Sequence, residues 1–301
     1  MIDLHPEVAD ALDAGRPVVA MESTIYSNLG LPSPSNSDAL ERCVAAVRAH
    51  GAVPAVTAVI DGRPVVGLDE PQIDRMLRGT AKVAERDLAV AVAQQWAVGV
   101  TTVSASVALA AAVGIDVFAT GGIGGVHRGS ELTGDVSADL GAIARHPVVV
   151  VSAGAKAFLD LPRTLEVLET LSVPVLGWRT DAFPAFYVRD SGSVVRQRVE
   201  SAAEVAAVHR ARSALGGGGS LLATPIPVAA ELDPDRLDAA LQAGLAEVER
   251  RGLRGPEVTP VVLAAIGEAT EGDSVPANLA LAEHNADVAA QVAVALTSGV
   301  A

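Results

Sequence analysis

The chain has 301 residues, of which 50% are hydrophobic and only 3% aromatic, and it carries a formal net charge of −14. This composition provides for a large aliphatic core, which is typical of α/β proteins with buried parallel strands. The acidic balance disfavours nucleic acid as a partner, although one basic pocket is enough for a small phosphorylated substrate. The single cysteine, Cys43, excludes an internal disulfide and a cysteine-based zinc site.

The chain also offers no pattern typical of export or membrane insertion. Its first five residues lack the apolar segment of a signal peptide. The longest uncharged stretch, between Asp87 and Asp116, is interrupted by polar residues and glycine. We interpret it as helix, strand and helix rather than as a membrane span. We therefore expect a cytoplasmic protein with no membrane partner.

The first 120 residues alternate between short apolar runs and segments with helical spacing. Asp61 and Gly62 stand between two apolar runs, which predicts the two-residue turn of a β-hairpin. The apolar runs predict strands at 17–21, 54–60, 64–66, 101–103 and 117–119. Helical spacing predicts helices at 6–14, 38–50, 73–77, 89–97 and 104–113.

The second half continues this alternation and ends in helices. Four glycines followed by Ser220 form a flexible joint at 215–220, a candidate domain boundary, yet the apolar run after them fits one more strand of the same sheet. We favour a single domain over residues 1–301, a three-layer α/β/α fold with a mainly parallel or mixed central sheet and a helical C-terminal part. The predicted strands are 148–152, 175–176 and 221–223, and the helices are 164–171, 202–214, 233–251, 259–269 and 277–296.

Lysine is almost absent from the chain. Of 22 basic residues only Lys82 and Lys156 are lysines, which leaves 22 − 2 = 20 arginines. An arginine cannot lose its proton, whereas a lysine held among small apolar residues can attack a carbonyl carbon as a neutral amine. Lys156 follows a predicted strand and suits a Schiff base. Codon bias, or a structural lysine with a buried stem, remains the alternative. Lys82, beside charged neighbours, fits a phosphate clamp.

Two further motifs lie at predicted strand ends. Glu22 directly follows an apolar strand, where a partly desolvated carboxyl can act as a general acid or base; a solvated loop glutamate is the alternative. The segment 120–129 holds four glycines together with Thr120, His127 and Arg128. Its backbone amides could approach a phosphate, although a plain tight turn explains the glycines equally well. The spacing fits neither common nucleotide-binding fingerprint.

Asp135 and Asp139 lie four residues apart, so they would share one face of a helix and could hold Mg²⁺ or Mn²⁺. We favour another interpretation, in which Asp135 or Ser137 caps a helix over 139–145. His127 is a weak candidate for a metal ligand because no second histidine lies nearby in the sequence.

These motifs, in this order, resemble the pseudouridine-5′-phosphate glycosidase family, which includes the indigoidine-cluster A proteins. The resemblance runs from about residue 18 to residue 289, nearly the whole chain. The motifs that carry it are 21–25, 51–55, 118–129, 135–139, 153–156, 183–186, 257–260 and 277–278.

The resemblance implies reversible cleavage of the C–C glycosidic bond of pseudouridine 5′-phosphate to uracil and ribose 5-phosphate, by a homotrimer. It implies that Lys156 is the nucleophile that forms an imine with ring-opened ribose. Glu22 is then the proton donor, and Asp135 the ligand of a largely hydrated Mn²⁺ ion, with Mg²⁺ as the alternative metal. Further residues matched to substrate binding are Lys82, Val103, Ser137, Ala138 and Asp139, with Thr120, His127 and Asn278 as candidates for the phosphate.

Three positions depart from the pattern of the family that the chain resembles. Asn28-Leu29-Gly30 replaces a His-Gly pair with one extra residue, Thr224 stands for asparagine, and Pro256 stands for lysine. These changes leave open another nucleobase, or an imine-forming lyase or C-glycosidase acting on another sugar phosphate in a biosynthetic cluster. A non-catalytic family member that acts as a binding protein is the third hypothesis.

Overall fold

The computed structural model describes residues 2–253 and 258–298. Eleven strands in these residues form a mixed central sheet. The strands are β1 (Asp3–Leu4), β2 (Val18–Met21), β3 (Val53–Ile60), β4 (Arg63–Val66), β5 (Lys82–Val83), β6 (Val98–Thr101), β7 (Val117–Ala119), β8 (Val149–Ser152), β9 (Val175–Trp178), β10 (Gln197–Val199) and β11 (Ser220–Ala223).

Twelve α-helices in the same residues surround the sheet. They are α1 (Pro6–Asp13), α2 (Ser35–Ala49), α3 (Glu70–Leu77), α4 (Leu88–Ala93), α5 (Val103–Ala112), α6 (Ser130–Thr133), α7 (Ala138–Arg145), α8 (Leu161–Thr170), α9 (Ala202–Ala214), α10 (Pro234–Arg251), α11 (Val258–Ala269) and α12 (Ser274–Thr297).

The strands run in the order β1-β4-β3-β2-β7-β8-β11-β9-β10, with β6 paired to β3 and β5 to β6. The pairs β3–β4 and β3–β6 are antiparallel, and the other pairs named here are parallel. Ile60 lies opposite Arg63, so the hairpin predicted at Asp61-Gly62 is confirmed. Because β2, β7, β8 and β11 are neighbours and parallel, their carboxyl ends meet at one edge of the sheet.

Helices cover both faces of this sheet, as predicted. On one face α12 packs between α2 and α9 and lies against β2, β7 and β8. Its buried side includes several alanines, and their small size lets the helix approach the strands closely. On the other face α5 packs against β2, β7 and α7. The predicted three-layer class with a helical C-terminal part is therefore confirmed.

Some boundaries differ from the sequence prediction. The strand expected at 101–103 is wrong in position: β6 ends at Thr101, and Val103 begins α5. The valines at 98 and 100 pair with β3, whereas Thr102 already has the extended backbone of a helix-capping residue. The short strands β1, β5 and β10 have no hydrophobic pattern that separates them from loops, and the prediction missed them.

The glycine run before β11 packs against the body of the protein. Gly219 N donates to the carbonyl of Ile143 (2.9 Å), and Arg212 Nε donates to the carbonyl of Gly218 (2.8 Å). Pro256 and Glu257, singled out in the sequence, lie outside the described residues. Within 2–253 and 258–298, no helix is both long enough and apolar enough to cross a lipid bilayer.

Candidate active site

The side chains predicted to carry chemistry follow neighbouring parallel strands. Glu22 comes directly after β2, and Thr120 directly after β7. Lys156 lies four residues beyond the end of β8, and Thr224 follows β11. Since ligands of open α/β sheets bind beyond the carboxyl ends of strands, this edge is the expected place for a site.

Two adjacent cavities open at this edge. The first, the Glu22 cavity, has a volume of about 270 Å³. The second, the Asp135 cavity, has a volume of about 370 Å³. Lys82, Lys156 and Phe158 line both cavities, so the two amines stand at their junction. A molecule bound across the junction would present its middle to the lysines and its ends to the two carboxylates.

Glu22 is the buried acid of the site. Its residue exposure is only 8%, and Oε1 accepts a hydrogen bond from the Thr120 hydroxyl. Burial raises the pKa of Glu22, while Lys156 and the Thr120 hydrogen bond oppose that rise. A carboxyl with a raised pKa retains its proton closer to neutral pH, which is the requirement for a proton donor.

A buried network of hydroxyl groups fixes the backbone next to Glu22. Ser23 Oγ accepts from Thr101 N (2.8 Å) and lies 3.0 Å from Thr101 Oγ1. Thr57 Oγ1 lies 2.8 Å from both Thr101 Oγ1 and Ser106 Oγ. These groups join β3, β6 and α5 beneath the site, so the carboxyl stands on a rigid base.

Lys156 is held by a backbone crossover between two loops. Its amide donates to the carbonyl of Ile123 (3.2 Å), and the Ile123 amide donates to the carbonyl of Gly154 (3.0 Å). Gly154 has a φ of +73°, and a Cβ there would strike the carbonyl oxygen of Pro184. This position therefore requires glycine, and the turn directs the chain toward the cavity junction.

Lys82 reaches the site from β5, where it lies opposite Val100 of β6. Burial lowers the pKa of Lys82, Lys156 lowers it further, and Asp139 and Glu22 act in the opposite direction. Burial and each other's charge therefore shift the pKa of both Glu22 and Lys82, as is common for titratable groups at functional sites.

The motif around Asp139 has a structural part that sequence spacing did not reveal. Asp139 Oδ1 accepts from Ser104 N (3.0 Å), and Oδ2 accepts from Gly124 N (2.8 Å). Ser137 caps α7 by accepting from Asp139 N (3.2 Å), which confirms the cap interpretation for Ser137. Because α7 begins at Ala138, Asp135 precedes the helix, and the idea that Asp135 and Asp139 share a helical face is wrong.

Asp135 lines the Asp135 cavity with Ser137, Ala138 and Asp139. Its Oδ2 lies 3.8 Å from Nδ1 of His127. Burial lowers the pKa of His127, and the nearby Asp135 carboxylate partly opposes that decrease. The described residues contain no cluster of three or more His, Cys, Asp or Glu that could hold a metal. Asp135 itself offers carboxylate oxygens to this cavity, and such oxygens are the ligands that Mg²⁺ and similar hard cations take together with water.

The other predicted site residues fall in different places. His127 lines the Asp135 cavity, and Asn278 lines the Glu22 cavity. Thr120 lies under the Glu22 cavity with its hydroxyl on Glu22. Val103 has its side chain in the core at the first turn of α5, so any contact with a substrate would come from its backbone. The roles assigned to these residues stay predictions.

Four backbone amides of the glycine-rich loop already donate to acceptors within the protein, so they are not free to bind an anion. The amides of Ile123, Gly124, Val126 and His127 donate to Gly154 O, Asp139 Oδ2, Thr164 Oγ1 and Asp135 O. At these four positions the loop is a tight turn that links the two cavities. The cationic side chains of the Asp135 cavity share its lining with the carboxylates of Asp87, Asp135 and Asp139.

Sequence reasoning missed the apolar wall of the Glu22 cavity. Phe186 lies there in a left-handed conformation (φ 61°) with its amide bonded to the carbonyl of Ala153 (3.0 Å). Leu263 and Ile266 of α11 close the wall. The motif 183–186 was visible in the sequence, but its partner Gly154 could be found only in the fold. The apolar wall residues are Ile25, Leu29, Phe158, Phe186, Tyr187, Leu263 and Ile266.

The fold and the site together define an enzyme that pairs a buried acid with lysine amines at the carboxyl edge of a parallel sheet. Comparison with known proteins narrows this class. Residues 7–295 match the family described as Indigoidine synthase A like protein, and the chain belongs to that family.

Two relatives that match over nearly the whole chain share one name. The chain is 50% identical to the pseudouridine-5′-phosphate glycosidase of Herpetosiphon aurantiacus, over 99% of this chain and 98% of that protein. It is also 50% identical to the protein of that name from Methylobacterium nodulans, over 98% of this chain and 88% of the relative.

Two solved structures share the fold over 99% of this chain and 97% of theirs. The prealnumycin C-glycosynthase AlnA, solved in complex with ribulose 5-phosphate, is 37% identical with a TM-score of 0.92. An indigoidine synthase A-like protein from Thermotoga maritima is 36% identical with a TM-score of 0.88.

Proposed function

We propose that the chain catalyses the reversible cleavage of pseudouridine 5′-phosphate and water to uracil and ribose 5-phosphate. The observation that carries this proposal is the junction at Lys156, with the buried acid Glu22 on one side and Asp135 on the other. The names of the full-length relatives support the same reaction.

Lysine provides what this reaction needs. The bond to be broken joins C1′ of ribose to C5 of uracil, and neither carbon leaves easily. In the proposed mechanism the Lys156 amine attacks C1′ and displaces the ring oxygen O4′, so the C1′–N bond forms as the C1′–O4′ bond breaks, and the amine proton passes to O4′. The nitrogen lone pair can then form a C=N bond to C1′ and replace the departing carbon. An arginine could not perform this step because it stays protonated.

Glu22 supplies the proton for the leaving carbon. Protonation of C5 of the base lets the C1′–C5 bonding pair return to the C5=C6 double bond, so neutral uracil leaves. The remaining Lys156 iminium is hydrolysed by water, which gives ribose 5-phosphate and the free amine. Glu22 fits this role because it is buried, faces Lys156 and has a raised pKa.

The Asp135 cavity is the proposed place of the sugar phosphate. Lys82 and Arg86 provide positive charge, which the carboxylates of Asp87, Asp135 and Asp139 in the same lining partly offset. Thr102 and Ser137 add hydroxyl groups. A Mn²⁺ or Mg²⁺ ion held by Asp135 and water would add positive charge beside the substrate oxygens.

The Glu22 cavity is the proposed place of the base. Asn278 lines it, and among the described residues no partner reaches its buried Oδ1. An unpaired buried amide oxygen suits an N–H donor of a pyrimidine better than a phosphate oxygen, because both oxygens are acceptors. We therefore propose that Asn278 contacts the base and not the phosphate.

The test is direct. Purified protein with Mn²⁺ should release uracil from pseudouridine 5′-phosphate, and borohydride should trap ribose 5-phosphate on Lys156. Lys82→Ala is the matched control, since it removes the other lysine but leaves the nucleophile. Absence of uracil release by the native chain would refute the proposal, and trapping of other sugar phosphates but not ribose 5-phosphate would favour a different lyase.

One observation favours a second candidate function. The base end of the Glu22 cavity is mostly apolar, and Leu29 stands there on the chain segment that departs from the family pattern. A structural neighbour is a C-glycosynthase. The second reaction joins ribose 5-phosphate to an electron-rich aromatic carbon with loss of water. A product of that mass from 1,3-dihydroxynaphthalene, formed faster than pseudouridine 5′-phosphate from uracil, would select it.

The assembly and compartment belong to the same proposal. We expect a homotrimer, as the family resemblance implies, and we also expect the protein in the cytoplasm. Native mass spectrometry of the purified chain measures the first, and fractionation of cells that express it measures the second. A monomer at assay concentration that is fully active would contradict the trimer.

A further inference from the structure

Asn285, in the middle of α12, lies directly behind the catalytic edge of the sheet. Its exposure is 0%. Its Nδ2 donates to the carbonyl oxygens of Thr120 (2.8 Å) and Gly121 (3.1 Å), while its Oδ1 faces the hydroxyl of Thr224. The opposite orientation of the amide would place Oδ1 against two carbonyl oxygens, so the hydrogen-bond pattern fixes this one.

The two carbonyls belong to the segment that supports the proton donor. The hydroxyl of Thr120 donates to Glu22 Oε1, and Gly121 lines the Glu22 cavity. The Thr120 amide is held from the other side by the carbonyl of Val151 (3.0 Å). Asn285 therefore fixes the peptide from which the hydroxyl projects.

The pKa of Glu22 depends on its charged neighbours and on the hydrogen bond from the Thr120 hydroxyl. Lys156 and Lys82 favour the ionised carboxylate, whereas Asp139 favours the protonated acid, and the buried Tyr26 phenol lies nearby. The Thr120 hydrogen bond is made to the carboxylate and lowers the pKa of Glu22. A displaced hydroxyl should therefore let that pKa rise.

We propose that Asn285 is a positioning residue for the proton donor, acting through the Thr120–Gly121 peptide to keep the Thr120 hydroxyl on Glu22. This role rests on the proposed function of Glu22 as the proton donor. The hydrogen bonds from Asn285 through Thr120 to Glu22 are present whatever that function is. Thr224, which stands where the family pattern has asparagine, anchors the amide by its hydroxyl and also contacts the carbonyl of Ser152 (3.0 Å).

The variant Asn285→Ala should lower kcat by roughly 10- to 100-fold and leave KM within about twofold, because substrate contacts remain while the acid is misplaced. Since Glu22 acts in its protonated form, the rate falls as pH rises through its pKa. The alkaline limb of the pH profile should shift upward in Asn285→Ala and in Thr120→Val. In the double variant it should move no further than in Thr120→Val alone, because both changes remove one interaction.

Asn36→Ala is the matched control. Asn36 is also buried, and its amide likewise bridges two carbonyls, those of Tyr26 (3.1 Å) and Leu77 (3.2 Å). Asn36→Ala should lower the free energy of unfolding about as much as Asn285→Ala does. The alkaline limb of its pH–rate profile should stay where it lies in the native chain. An unshifted limb in Asn285→Ala, or additive shifts in the double variant, would overturn the inference.

An infrared titration separates this inference from the proposed function. The infrared band of a protonated carboxyl that is present in the native chain and absent in Glu22→Gln belongs to Glu22. This band reports the protonation of Glu22 in the absence of substrate. Its midpoint should rise in Asn285→Ala even if the native chain releases no uracil, and an unchanged midpoint would refute the inference by itself.

Discussion

Lys82 and Lys156, the two lysines of the chain, line both the Glu22 cavity and the Asp135 cavity. Each therefore faces an acid on one side and the proposed phosphate region on the other. Their surroundings separate their roles. Lys156 follows a β-strand through a turn that only glycine fits, whereas Lys82 lies on a two-residue strand beside Asp139.

Glu22→Gln should reduce uracil release by roughly 10²- to 10⁴-fold, because the isosteric amide cannot donate the proton to the leaving carbon. The variant should still be trapped on Lys156 by ribose 5-phosphate and borohydride, since imine formation from the free aldehyde does not need C5 protonation. Steady-state kinetics and mass spectrometry measure the two effects. Loss of trapping together with turnover would assign Glu22 to imine formation instead.

The same variant should change stability in a pH-dependent way. Burial raises the pKa of Glu22 in the folded state, so its contribution to stability is present at acid pH and is lost as pH rises through that raised pKa. Glu22→Gln should thus melt at a higher temperature than the native chain at neutral and alkaline pH, and near the native temperature at acid pH. Thermal melts across pH, with the solvent-exposed Glu131→Gln as control, test this; a lower melting temperature at neutral pH would contradict it.

Asp135→Asn and Asp139→Asn should separate metal binding from folding. Asp135→Asn removes the partly exposed carboxylate of the proposed metal ligand, so Mn²⁺ affinity should fall at least about tenfold. Its unfolding free energy should change by no more than about 0.5 kcal/mol.

In Asp139→Asn the side-chain NH₂ group replaces one carboxylate oxygen that accepts a hydrogen bond from a backbone N–H. Two donors then face each other, so the substitution should cost about 1–3 kcal/mol of stability. Electron paramagnetic resonance of bound Mn²⁺ and urea unfolding measure the pair. If the two variants exchanged these effects, Asp139 would be the metal ligand.

Gly154→Ala should be among the most destabilising single substitutions near the site. It combines a positive φ with a clash against the Pro184 carbonyl, so we expect a loss of roughly 3 kcal/mol or more. Gly216→Ala is the control, because Gly216 has a similar φ (71°) but nothing within 4 Å of its Cβ position, and it should cost about 1–2 kcal/mol. Equal losses in urea unfolding would show that the clash relaxes.

The sequence predicted what local pattern controls. Uninterrupted apolar runs located β2, β7, β8 and β11, whose carboxyl ends define the site, and Glu22 and Lys156 could be singled out because each follows such a run. The fold class followed from the alternation of strands and helices. The pairing of β5 with β6 could not be predicted, since two residues carry no periodic signal.

The supporting residues depend on contacts between distant parts of the chain. Asn285 bonds to a carbonyl 165 residues away, and its neighbours in α12 read as an ordinary buried helix. Asp139 looked like a metal ligand or a capping neighbour, but its oxygens join α5 to the glycine loop. Such roles require the fold, because residue type and spacing do not specify the partner.

The proposed mechanism depends on the bond between the Lys156 amine and C1′ of the sugar. The most direct measurement is peptide mapping by mass spectrometry after borohydride reduction with ribose 5-phosphate, together with turnover, in the native chain, Lys156→Arg and Lys82→Ala. A reduced adduct is expected on Lys156 in the native chain and in Lys82→Ala. In Lys156→Arg no adduct is expected, and turnover should be lower by roughly 10³-fold or more. An adduct on Lys82, or native turnover by Lys156→Arg, would contradict the proposed mechanism.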